Sequence, residues 1–109
     1  MNTVAFSALS DRSRLRIVEL LRERPRPVGE IAQRLRLRQP QVSKHLKVLS
    51  QAGLVRARPV AQKRIYHLEA QPFQELDGWL GSFRRLWEGR LEMLDEYLQE
   101  MKASQRRQP

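Results

Sequence analysis

The sequence contains no cysteine. That excludes disulfides, thiolate metal sites, cysteine nucleophiles and redox sensing through thiols, and it suits a reducing compartment. Long apolar runs are also missing: nothing approaches the roughly 20 residues needed to span a bilayer, and residues 1–10 lack a basic segment followed by a long apolar one. The chain is therefore expected to be cytoplasmic. No G-x-S-x-G, phosphate-binding glycine loop or other catalytic constellation occurs, so an enzyme reading has nothing to stand on. The two histidines, His45 and His67, share no ligand spacing with each other or with a carboxylate, and no cofactor is expected. At 109 residues the chain has the length of one ordinary domain.

What is present in excess is positive charge, net +9, and it is unevenly placed. Residues 1–68 hold fifteen Lys or Arg against four Asp or Glu, net +11, whereas residues 69–109 hold six against eight, net −2. A basic face confined to one part of a chain is the footprint of a polyanion binder, because each neutralised phosphate releases condensed counterions. The bland alternative is a solvated surface that happens to be basic.

Apolar spacing predicts a helix over residues 11–24, with Ser10 as its N-cap, Leu15, Ile17, Val18 and Leu21 as its inner face, and Pro25 and Pro27 ending it. Val28, Ile31, Ala32 and Leu35 follow at i, i+3, i+4 and i+7, one buried stripe of a short helix. After residues 36–38 a third helix is predicted over residues 39–52, with Val42, Leu46 and Leu49 inward and Gly53 closing it. Two short helices joined by a tight turn make a helix-turn-helix candidate. From Leu54 the period changes to two, predicting a β-hairpin whose connection, residues 60–63, lacks Gly or Asn and so reads as a longer, looser turn. Beyond Pro72 one long helix is expected, softened at Gly78 and Gly81. The fold class is thus mainly α with a small β-hairpin. Residues 1–102 form a single domain: a DNA-binding part at about residues 10–68, a helix at about 72–102, and a flexible polar tail at 103–109.

The long helix carries Leu76, Leu80, Phe83, Trp87, Leu91, Leu94 and Leu98 at helical spacing, with Trp79 and Leu86 in a second row. So wide an apolar face needs a partner, and a second copy of the chain is the simplest one. A small apolar effector among the aromatics is the alternative. On the helix at residues 39–52, Lys44, Lys47 and Gln51 lie opposite the inward residues, with Gln41 and Ser43 on the flanks. The N-terminal part of a recognition helix reaches base edges, which makes Gln39, Gln41, Ser43 and Lys44 the candidate readers. Lys47 suits a phosphate, and His45 is either DNA-facing or a packing residue.

Residues 8–11 (Ala-Leu-Ser-Asp), 14–17 (Arg-Leu-Arg-Ile), 28–32 (Val-Gly-Glu-Ile-Ala), Gln39-Pro40, 42–49 (Val-Ser-Lys-His-Leu-Lys-Val-Leu) and 52–55 (Ala-Gly-Leu-Val) together resemble the ArsR-type family of bacterial repressors over nearly the whole chain. The resemblance implies a winged helix-turn-helix homodimer, paired through terminal helices, that binds a double-stranded DNA operator with dyad symmetry and releases it on a signal. By position, Gln39, Pro40, Ser43 and Lys44 match the family's DNA-reading region, and residues 56–64, with Arg56, Arg58, Lys63 and Arg64, match its wing. Arg38 stands where many members have a capping serine, and it could reach a phosphate instead. Pro27, Val28 and Gly29 occupy the place of the Cys-x-Cys of metal-sensing members, and the terminal helix has no histidine, so the likeness is to the metal-free branch and implies autoregulation. Two rival readings use the same residues: a protein-interaction module built on the aromatic helix, and a non-specific nucleic-acid binder built on the basic face.

Overall fold

The computed structural model describes residues 3–107, the side chains of Leu91 and Arg107 excepted. It holds two compact units that divide between Glu75 and Leu76.

The first unit opens with α1 (Thr3–Leu9), a helix the apolar pattern does not announce, because it buries only the small residues Ala5 and Ala8. Ser10 closes α1, its hydroxyl donating to the Ser7 carbonyl at 2.6 Å. The N-cap of α2 (Arg12–Glu23) is therefore Asp11 and not Ser10, with Asp11 Oδ1 accepting from the Arg14 N–H at 3.0 Å. Ile17, Val18 and Leu21 are buried as expected, but Leu15 is 46% exposed. It lies two residues before Ile17, about 200° around the helix, which takes it off the inner face.

α3 (Val28–Leu35) and α4 (Gln39–Gln51) appear where their stripes place them. Arg36 ends α3 in the left-handed region at φ 56°, and the Leu37 N–H reaches back to the Ala32 carbonyl at 3.0 Å. Gly53, at φ 77°, closes α4 in the same way, with the Leu54 N–H on the Leu49 carbonyl at 2.9 Å. Ile17, Ile31, Val42, Leu46 and Leu49 are completely buried and join α2, α3 and α4 in one core.

The hairpin consists of β2 (Val55–Val60) and β3 (Lys63–Leu68), paired antiparallel from Val55 opposite Leu68 out to Val60 opposite Lys63. The loose turn expected at its tip is instead a two-residue turn, possible because Ala61 takes φ 56° without being glycine. A third strand, β1 (Arg26–Pro27), pairs with β3 through Arg26 opposite Tyr66 and Pro27 opposite Ile65, giving the order β1-β3-β2. Two prolines hide so short a strand from any period-two pattern. Arg26 anchors it: this guanidinium is 2% exposed and donates to Glu23 and Glu30, each at 2.6 Å. Its hydrogen bond, above all, holds the Glu30 carboxyl below the ordinary range, with Arg24 and Arg34 adding to the effect.

The expected single terminal helix is two helices, α5 (Ala70–Gly81) and α6 (Arg84–Arg107). The break falls at Ser82 and Phe83, just beyond the glycines, where the Ser82 hydroxyl takes the Trp79 carbonyl at 2.6 Å and competes with the helical ladder. Helical backbone continues to Arg107, through most of the stretch read from sequence as a tail. In the second unit Leu80, Leu86, Trp87, Leu94 and Leu98 are exposed, as are Met93, Tyr97 and Met101. Leu76 is half-buried, the side chain of Leu91 lies outside the described residues, and Trp79 and Phe83 meet edge to face at 4.9 Å.

Candidate nucleic-acid interface

α4 is held from one side only. Val42, Leu46 and Leu49 are at 0% exposure, while Gln39, Pro40, Gln41, Ser43, Lys44 and Lys47 are all exposed on the remaining faces. That division follows from the 3.6-residue repeat, and it presents amides, a hydroxyl and two ammonium groups together. Arg38 cannot accept a hydrogen bond and so cannot cap α4 with its side chain. Instead the Gln41 Oε1 accepts from the Arg38 N–H at 3.3 Å, so Gln41 serves the helix end as well as the exposed face.

His45 sits differently from its neighbours. Its ring is 24% exposed, with Nδ1 4.0 Å from Asp11 Oδ1, so it packs α4 against the start of α2. Asp11 is held below the ordinary carboxylate range chiefly by the Arg14 backbone N–H, with the Arg14 guanidinium and His45 contributing.

The wing carries Arg58, Lys63 and Arg64 exposed near its tip. Arg56, at its base, is engaged: its Nε is 3.2 Å from Glu69 Oε1, an oxygen that also lies 3.4 Å from His67 Nε2. Arg56 thus belongs to a clamp joining β2, β3 and the residue before α5. A groove of about 650 Å³ runs between the wing tip and the start of α3, lined by residues 27–30, Gln33 and Gln39 on one side and Gln62, Lys63 and Arg64 on the other. Gln33 and Gln62 were not singled out from sequence. Only the pairing register, which brings the tip beside α3, marks them.

Every carboxylate from Asp11 to Glu69 already pairs with a cation. Asp11 pairs with Arg14, Glu19 with Arg22, Glu23 with Arg26, Glu30 with Arg24, Arg26 and Arg34, and Glu69 with Arg56. Neutralised cations therefore collect around α2, β1, α3 and the wing base. Lys44, Lys47, Arg58, Lys63 and Arg64 have no carboxylate within 4.0 Å among the described residues.

Known proteins resemble this chain in sequence and fold. Residues 9–58 match the model of a helix-turn-helix domain family. The chain is 48% identical over 65 residues to the HTH-type transcriptional regulator Rv2034 of Mycobacterium tuberculosis, covering 60% of this chain and 61% of that protein. To the transcriptional repressor SdpR of Bacillus subtilis it is 32% identical over 83 residues, covering 76% of this chain and 91% of that one. Among solved structures, the ArsR family transcriptional regulator RHA00566 superposes with a TM-score of 0.69 at 29% identity, covering 79% of this chain and 94% of the other. The chain belongs to the ArsR-type family of winged helix-turn-helix transcriptional regulators. A further ArsR-like structure, from Mycobacterium bovis, is described as the homodimeric winged helix-turn-helix DNA-binding domain of Mb0332; it matches with a TM-score of 0.64 at 26% identity, over 75% of this chain and 76% of that one.

As an ArsR-type regulator the chain is a DNA-binding protein and not an enzyme. It departs from thiolate-bearing members at Pro27, Val28 and Gly29, which here line the groove beside the wing. Among the described residues no group of three or more His, Asp or Glu is placed to hold a metal, and no helix is long and apolar enough to cross a membrane.

Proposed function

We propose that this ArsR-type regulator is a homodimeric repressor that binds a palindromic operator, including one before its own gene, from the cytoplasm. The observation that carries the reading is the placement of charge: Lys44 and Lys47 on the exposed face of α4, and Arg58, Lys63 and Arg64 near the wing tip, have no carboxylate within 4.0 Å among the described residues. Gln39, Ser43 and Lys44 read base edges in the major groove, and Gln41 shares that role with its cap. Arg38 and Lys47, with the wing's Arg58, Lys63 and Arg64, hold phosphates. Two copies pair through Leu80, Leu86, Trp87, Leu94, Leu98 and neighbouring apolar residues of α5 and α6, whose exposure supports a partnered face. The aromatics there serve the dimer rather than an effector. Twofold pairing sets the recognition helices about 34 Å apart, one turn of DNA.

A salt titration tests this. If the dimer neutralises about 6 to 10 phosphates, affinity for DNA upstream of its gene falls roughly 10³- to 10⁵-fold between 50 and 200 mM salt. Its preference for that DNA over bulk duplex is at least about 10³. A flat salt response overturns DNA binding, and a steep response without preference leaves only a non-specific binder. Sedimentation equilibrium gives a dimer, and a stable monomer contradicts the pairing.

A further inference from the structure

We propose that Arg12, Arg16 and Arg36 extend the phosphate contact of Arg38 into a second phosphate-binding surface, on the α2 flank of the recognition helix, that takes the backbone of the same DNA duplex; this rests on the DNA reading above. Arg12 and Arg16 are one turn apart on α2 and share a face. The Arg16 Nη2 donates to the Leu35 carbonyl at 3.2 Å, which sets that face against the end of α3, where Arg36 and Arg38 follow in the turn to α4. Asp11, next to Arg12, lies 4.0 Å from His45 in the middle of α4. The arginines therefore flank α4 at the last residues of α3, whereas the wing tip lies beside its first.

All four side chains are exposed, and among the described residues none has a carboxylate within 4.0 Å. The acidic residues closest in sequence are engaged elsewhere, Asp11 by Arg14 and Glu19 by Arg22. Four unneutralised guanidiniums repel one another and collect counterions, whose release drives association with a polyanion. Their planar forks match phosphate oxygens in two-point fashion. Backbone preference does not explain Arg36, because its φ of 56° is one that glycine or asparagine adopts with less strain. A charge kept at a strained position beside three others fits a ligand, and the duplex laid along α4 is the anion within reach.

The test uses Arg12→Gln combined with Arg36→Asn, which keeps a residue tolerant of the left-handed conformation. Arg16 stays because it also caps α3. Binding to the upstream duplex and to bulk duplex is measured from 50 to 200 mM salt. With about 0.9 of slope per phosphate and two arginines in each protomer of a dimer, the log–log slope shrinks by about 3.6, and the affinity loss across that range becomes on the order of 100-fold smaller. The change is equal on both duplexes, so preference is kept, and Arg12→Lys with Arg36→Lys restores the slope. An unchanged slope overturns the proposal, as does a loss confined to the upstream duplex or a failure of the lysine pair to restore it. Absence of any salt-dependent duplex binding by the unaltered protein removes the DNA reading itself, an outcome distinct from the flank alone failing.

Discussion

Arg26 presents a contest between charge and volume that substitution resolves. Among the described residues it is the largest of the fully buried side chains, and it holds Glu23 and Glu30 at 2.6 Å each. Breaking a buried ion pair is usually severe, about 3–5 kcal/mol, because the surviving charge is left unpaired in a medium that solvates it poorly. Here the survivors are not stranded. The Glu23 side chain is 63% exposed, and Glu30 keeps Arg24 at 2.6 Å and Arg34 at 3.3 Å. The charge penalty is therefore muted, and the void left in the wall formed by α2, β1 and α3 dominates. Arg26→Ala is expected to cost about 3 kcal/mol, as for other large-to-alanine changes in a core. Arg26→Met fills most of the volume and avoids desolvating a guanidinium, so its cost stays within about 1 kcal/mol. Urea unfolding at fixed protein concentration reads both, with unchanged m-values as the check on two-state behaviour. If methionine is as damaging as alanine, pairing and not packing holds β1 in place, and the reasoning is refuted.

Ala61→Gly relieves the left-handed residue at the wing tip and is expected to raise stability by about 1 kcal/mol, read as a higher urea midpoint. An unchanged or lower midpoint contradicts the tight turn. Asp11 and Glu30 are both held below their ordinary values of 3.8 and 4.5, so their contribution is complete above those values and is lost as pH falls through the lowered ones. Melting temperature is expected to be level above about pH 5 and to fall below it, with Glu30→Gln flattening part of that acid limb. Ser43→Ala is expected to relax sequence preference at one position, by about 1–3 kcal/mol of discrimination, whereas Lys47→Ala weakens all duplexes alike and lowers the salt slope. Competition binding separates them, and two changes that merely unfold the protein show that the faces of α4 are misassigned. Arg56→Ala is expected to leave the salt slope unchanged, since Glu69 already neutralises it; a slope as reduced as that of Arg58→Ala places Arg56 on the DNA instead.

Legibility followed the size of the side chains that packing selects. Ile31, Val42, Leu46 and Leu49 recur at helical spacing because they fill one core, and that spacing located α3 and α4 and left the open face of α4 by subtraction. α1 escaped because alanines do its packing, and β1 because two residues carry no period. Arg26 and Arg56 look alike as basic residues, yet one is buried between carboxylates and the other clamps the wing base. Only the three-dimensional neighbourhood separates such cations from Lys44 or Arg64. The turn at Ala61 was misjudged because sequence reasoning assigns positive φ to glycine and asparagine, and tertiary pairing here overrides that preference. The helix break at Ser82 and Phe83 falls directly after Gly81, where the sequence marks only a softening, and the hydroxyl–carbonyl bond that accompanies it is one that apolar spacing does not register.

Cleavage protection on the DNA immediately upstream of the gene tests the central claim most directly. Two protected major-groove segments related by a dyad and centred about 34 Å apart are expected, both lost together when Ser43 and Lys44 are replaced by alanine in a protein that still unfolds cooperatively. Protection that spreads evenly along the fragment without a dyad, or that survives those replacements, contradicts it.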